Sequence, residues 1–201
     1  MIPSLFFDFS IAAERIAGTS SPLEKAAVAG EYFRSLSDDD LTHAARYFAG
    51  YVFPLRDQRV VSVGGATLLT AALTVTGAEE NALRRSLVAT GDIGDAVFEF
   101  WPQQGEPSLT LSEVAAAFDE LAVTTGSKAK LALVTKLLQQ AVTPIEGKYL
   151  VKLLAGDLRI GLREGAVEDA LARSYGASVS AVQWANMLTG DATASDVLQR
   201  G

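Results

Sequence analysis

Apolar residues along this chain recur mostly at three- and four-residue spacing, as at Leu131, Val134, Leu137 and Leu138, which lines one face of a helix. Strict alternation of β-branched residues, the mark of a half-buried strand, is scarce. The pattern predicts an all-α protein of about a dozen helices: Asp8 to Ala17, Pro22 to Leu36, Ser37 to Phe48, Ala66 to Thr76, Ala78 to Ala89, Gly91 to Glu99, Leu111 to Val123, Lys128 to Ala141, Thr143 to Ala155, Glu164 to Tyr175, Ser178 to Leu188 and Ala194 to Gln199. Start signals sit where the periodicity begins. Ser37 precedes three aspartates, Ser21 and Thr143 each precede a proline, and Ser112-Glu113 falls in a first turn. Phe6, Phe7, Phe9, Phe33, Phe48, Phe98, Trp101 and Trp184 fall mainly at helical spacing and are expected in the core.

The same pattern occurs twice. Sliding the chain by 106 residues sets Ser37 to Gly50 over Thr143 to Gly156, so that a helix cap, an apolar face and a terminating glycine coincide. Sliding by 99 sets Gly77-Ala78 over Gly176-Ala177 and Thr90-Gly91-Asp92 over Thr189-Gly190-Asp191, the offset changing because the loop YVFPLRDQRV is longer. Thr19 to Val28 also pairs with Thr125 to Val134. The expectation is a single helical domain over residues 1–201 with pseudo-symmetric repeats at about 8–100 and 111–199. Two copies about a pseudo-two-fold axis suit a ligand of matching symmetry, such as the antiparallel backbones of a duplex. Duplicated helical units equally make inert scaffolds and protein-binding modules.

Charge changes this picture in one respect. A net charge of −7 argues against nucleic acid, but residues 1–125 carry 8 basic and 17 acidic groups whereas residues 126–173 carry 8 basic and 5 acidic. A local basic face can therefore bind phosphate although the chain as a whole is acidic. With no cysteine, disulfides and thiolate metal sites are excluded and a reducing, cytoplasmic setting is expected. The start MIPSLFFDFS lacks the pattern of a secretory signal, and the longest apolar stretch, Ala66 to Val75, is too short to span a bilayer, so no membrane partner is expected.

Candidate chemistry gathers in the basic segment. Thr125-Gly126-Ser127-Lys128-Ala129-Lys130 puts two lysines at a helix start, where they oppose the helix dipole unless an anion sits there; a hydrated, exposed helix start is the alternative. Its counterpart, Thr19-Ser20-Ser21 with Lys25 one turn on, offers hydroxyls and a cation in the same frame. The stretch Gly156 to Gly165 joins glycines to two guanidiniums, Arg159 and Arg163, suited to phosphate oxygens or a minor-groove edge. It also reads as a structural turn whose arginines pair with Asp157 and Glu164, with Leu158, Ile160 and Leu162 facing the core. Asp92 and Asp95 in GDIGDA read as helix-start aspartates before they read as metal ligands. His43 aligns with Tyr149 in the repeat and reads as packing or surface.

The segment GKYLVKLLAGDLRIGLREGAVEDALA, from Gly147 to Ala172, closely resembles the signature segment of the ATP-dependent DNA ligase N-terminal domain. The Thr19 and Lys25 region, GDIGDA, LTLSEVAAAFDELAVTTGSKAK and NMLTGD follow in the family's order and extend the resemblance over nearly the whole chain. What it implies is a helical domain that lies across the minor groove and grips nicked duplex DNA. The implied contacts are Gly156, Arg159, Gly161 and Arg163, then Gly126, Ser127, Lys128 and Lys130, together with Thr19, Ser21 and Lys25. Asp157 departs from relatives that carry a basic residue there. The resemblance implies a parent ligase, acting in DNA replication, repair and recombination, that uses ATP and magnesium. This segment itself is expected to carry no cofactor, metal site or catalytic residue. None of its lysines, at 25, 128, 130, 136, 148 and 152, stands in a K-x-D-G adenylation motif, and nucleotidyltransferase and OB-fold domains are expected to lie outside it. The expected partners are nicked duplex and an attached catalytic core, with the domain monomeric; the alternative is a non-enzymatic helical-repeat module that binds protein.

Overall fold

A computed structural model describes residues 3–183, and these fold into ten α-helices with no β-strand among them. They are α1 (Phe6–Ala17), α2 (Pro22–Phe33), α3 (Asp38–Phe48), α4 (Gly65–Thr76), α5 (Glu80–Thr90), α6 (Ile93–Phe98), α7 (Leu111–Val123), α8 (Ser127–Gln139), α9 (Pro144–Ala155) and α10 (Glu164–Tyr175). Residues 179–183 are also helical, within the helix expected from Ser178. The helix expected over Ala194 to Gln199, the motif NMLTGD, the landmark at Thr189 to Asp191 and Trp184 lie outside the described residues.

The expected signals at Ser21, Ser37 and Thr143 act as caps, whereas α7 is capped by Thr110, two residues before the expected Ser112, with Glu113 in its first turn as expected. Ser21 accepts from the Glu24 amide and Ser37 from the Asp40 amide. Thr110 and Thr143 form reciprocal capping boxes with Glu113 and Glu146. The repeat landmarks share local conformations: Gly77 and Gly176 both end helices in the left-handed region, at φ 65° and 67°. Gly50 and Gly156 also have positive φ, 91° and 82°.

The chain divides into two compact units. Of the described residues, the first comprises 3–4, 11–59 and 158–183, and in it α2 packs on α10. Its core includes Phe33, Phe48, Val167 and Leu171, with Tyr32, Phe33 and Phe48 in mutual ring contact. Gly30 lets Ser174 come close, and the Ser174 hydroxyl donates to the Gly30 carbonyl at 3.1 Å.

The second unit comprises residues 5–10 and 60–157; in it α4 and α7 pack on α8, α5 on α6, and α6 on α9. The Trp101 indole lies over Gly147 of α9 and donates its Nε1 hydrogen to the Ala141 carbonyl at 2.8 Å. Phe98, expected in the core, is instead 42% exposed, because α6 is a short helix that turns Ala96 and Val97 inward. Its ring lies under the Lys148 ammonium, 5.6 Å from the centroid. Phe7 is half-buried, and His43, as packing, stacks on Tyr47 at 6.2 Å.

The carboxyl of Glu146 is fully buried, and burial raises its pKa despite hydrogen bonds from Thr143. The folded state is therefore penalised above the raised folded pKa and free of the penalty below the unfolded one. Glu146→Gln should raise the urea midpoint at pH 7, and the gain should shrink as pH falls through the carboxylate range. A gain that grew toward acid would contradict this assignment.

Candidate nucleic-acid interface

The Gly/Arg stretch runs from the end of α9 to the start of α10. In the first unit, Leu158, Ile160 and Leu162 are 4%, 2% and 8% exposed, while Arg159, Gly161 and Arg163 between them are exposed. This alternation fastens one face of an irregular segment into the core and turns both guanidiniums outward. Arg159 holds a positive φ of 50°, unusual for a residue with a Cβ, and Gly161 one of 66°. Arg163 stands at the N-cap of α10 with extended backbone and no side-chain cap. Gly156 ends α9 in the second unit, and Asp157, like the arginines, is exposed.

Beside this stretch in the same unit is the start of α2. Lys25, half-buried, donates from Nζ to the Ile160 carbonyl. A Cβ on Gly161 would lie 2.7 Å from that nitrogen. Thr19 donates to the Glu24 carboxylate and accepts from the Ser21 amide at 3.1 Å, and Ser21 caps the helix. Both hydroxyls are thus joined to the first turn of α2.

In the second unit, Gly126 occupies the N-cap of α8 at φ 88°, and no side chain caps this end. The first turn holds no acidic residue; Gly126, Ser127 and Lys128 are exposed. Its amides point outward without a side-chain acceptor, next to a cation, which is the arrangement a phosphate fits. Lys130 points elsewhere: its Nζ donates to the carbonyls of Val61 and Ser62 at 2.8 and 3.2 Å.

Asp92 and Asp95 do something sequence reasoning only half anticipated. Asp92 caps α6, accepting from the Asp95 amide at 2.9 Å, and also pairs with Lys152 at 3.0 Å. Asp95 pairs with Lys152 and Lys148, both at 3.1 Å. Burial opposes ionisation of Asp95, but the hydrogen bonds from the two lysines together outweigh it and lower its pKa. Carboxylates neutralised by two lysines make a poor donor set for a cation. Among the described residues no group of three or more His, Cys, Asp or Glu side chains is placed to hold a metal ion. No described helix is long and apolar enough to cross a membrane.

Comparison with known proteins bears on this arrangement. Residues 5–172 match the family described as DNA ligase N terminus. The chain is 37% identical to a probable DNA ligase of Koribacter versatilis, over 89% of its own length and 31% of that protein. It is 34% identical to a probable DNA ligase of Opitutus terrae over 96% of its length and 22% of that protein. With a DNA ligase of Archaeoglobus fulgidus the identity is 32%, over 93% of the chain and 35% of the relative. The chain thus spans between a fifth and about a third of these relatives.

Proposed function

The chain belongs to the DNA ligase N-terminal family, and from that premise we propose that it is the DNA-binding domain of an ATP-dependent DNA ligase. It grips nicked duplex through minor-groove phosphates and leaves bond-making to an attached catalytic core. ATP and magnesium belong to that core. The domain contributes binding energy and orientation to the reaction.

The observation that carries this reading is the alternation from Leu158 to Arg163, which anchors the backbone on its apolar side and faces Arg159 and Arg163 outward. Guanidiniums suit phosphate oxygens because their donors form a fork. Gly156 and Gly161 let backbone approach the duplex closely, and the uncapped start of α8, with Gly126, Ser127 and Lys128, offers amides and a cation to a second phosphate run. Thr19, Ser21, Lys25 and Lys130 complete the set as the residues that shape these two entrances.

The internal repeat gives this arrangement its logic. α2 and α8 begin 105 residues apart, and α4 and α10 begin 99 apart. α2 packs on α10, and α8 on α4, so each copy's second helix packs on the other copy's fourth. A duplication exchanged in this way gives each unit the same helix pair, so each can offer related elements to a phosphate backbone.

Fluorescence anisotropy with a nicked duplex tests the reading. Arg159→Ala with Arg163→Ala should weaken binding by on the order of tenfold or more. Arg84→Ala, which removes an exposed cation paired with Glu80 on α5, should leave it nearly unchanged. Equal losses in the two proteins, or none in either, would sink it.

A further inference from the structure

Lys25 is the fourth residue of α2 and Lys130 the fourth residue of α8. Each extends from its helix to a main-chain carbonyl far away in sequence: Lys25 to Ile160, Lys130 to Val61. Both acceptor residues are buried, at 2% and 8% exposure. In both, the next residue has a positive φ, Gly161 at 66° and Ser62 at 50°. In both, a helix begins four residues after the acceptor, α10 at Glu164 and α4 at Gly65. The two contacts therefore recur at the same register of the repeat, lysine for lysine and carbonyl for carbonyl.

We infer that Lys25 and Lys130 are positioning residues, each latching the backbone of the loop that leads into α10 or α4, and that Lys25 thereby sets how Arg159 and Arg163 meet DNA. An ammonium donating to a carbonyl makes a charge-assisted hydrogen bond, stronger than a neutral one. Serine gains nothing from the left-handed region, so Ser62 needs a hold of this kind; its own carbonyl is the second acceptor of Lys130. The helical geometry separates the roles within one motif. Lys128 and Lys130 are two residues apart and so project from different sides of α8, the first exposed and the second turned to the 61–62 carbonyls. The sequence 60–64, which contains no arginine, becomes the structural counterpart of the Gly/Arg loop.

The effect on DNA rests on the duplex-binding reading above; the latch itself does not. Trypsin can cleave after Arg159 and after Arg59, which lie one and two residues before the acceptors. Native-state cleavage follows local opening. Lys25→Met should speed cleavage after Arg159 by on the order of tenfold, the loss of one charge-assisted hydrogen bond, and leave Arg59 unchanged. Lys130→Met should do the reverse, and Lys25→Arg and Lys130→Arg should stay near wild type. With nicked duplex, Lys25→Met should weaken binding while the slope of log affinity against log salt stays the same, because both arginines still reach their phosphates once bound. An unchanged Arg159 cleavage with a slope smaller by about 0.9 would make Lys25 a phosphate ligand instead and overturn the latch. So would faster cleavage at both sites in either variant, which signals general loosening. If wild-type protein fails to bind nicked duplex, the duplex-binding reading falls, and the cleavage pattern alone still decides the latch.

Discussion

Replacing Lys152 with alanine is expected to cost the fold about 3–5 kcal/mol, the range found when one partner of a buried ion pair is removed. Lys152 is 4% exposed and Asp92 8%, so the carboxylate left behind has little water to turn to. Asp95 keeps Lys148, which limits the damage on its side. A loss of this size takes much of the ~5–15 kcal/mol that stabilises an ordinary domain. Lys152→Met should be nearly as harmful, because methionine restores volume without neutralising Asp92. Combining it with Asp92→Asn, which keeps a helix cap and removes the charge, should recover most of the loss. Acid adds a second check. Asp95, its pKa lowered, contributes stability above its unfolded pKa that is lost as pH falls through the folded value. The gap between wild type and Lys152→Ala in chemical denaturation should therefore narrow toward low pH; a constant gap would mean that packing, and not charge, is what Lys152 supplies.

Gly147→Ala is the second large effect. A Cβ at this position would lie 2.2 and 2.3 Å from Cδ2 and Cε2 of Trp101, far inside contact distance. The indole has little freedom to give way: it is 5% exposed and held by its hydrogen bond to Ala141. One added methyl group should thus destabilise by about 3 kcal/mol, the upper end of ordinary overpacking. The thermal midpoint should fall, and Trp101 emission should shift to longer wavelength if the ring is forced outward. A midpoint within a degree of wild type would show that α9 can move away from the ring at little cost.

These two sites mark where sequence reasoning reached and where it stopped. Helices such as Leu111–Val123 and Glu164–Tyr175 were legible to the residue, because their periodicity is bounded by caps and glycines that act locally. The inward set Leu158, Ile160 and Leu162 was legible for the same reason, alternation within one short stretch. What depends on distant partners was not. The aspartates of GDIGDA read correctly as helix-start residues, but nothing nearby announced that Lys152, 57 residues past Asp95, would neutralise them. Nor did anything near Lys25 and Lys130, each in a polar helix start, announce that their ammonium groups donate to main-chain carbonyls. Their acceptors lie 135 and 69 residues away, and a main-chain carbonyl leaves no mark in a sequence. Phe98 was expected inside because its spacing was helical, yet a six-residue helix has too few turns to bury all its apolar positions.

If this acidic domain binds duplex DNA through local basic loops, its affinity must depend on salt. The salt dependence of wild-type binding to a nicked duplex tests this most directly. Arg159, Arg163 and Lys128 together should neutralise at least three phosphates, so log affinity should fall against log salt with a slope of about −2.7 or steeper. Replacing all three with alanine should flatten that line. A slope near zero in the wild-type protein, or one that the triple replacement leaves unchanged, would contradict the account.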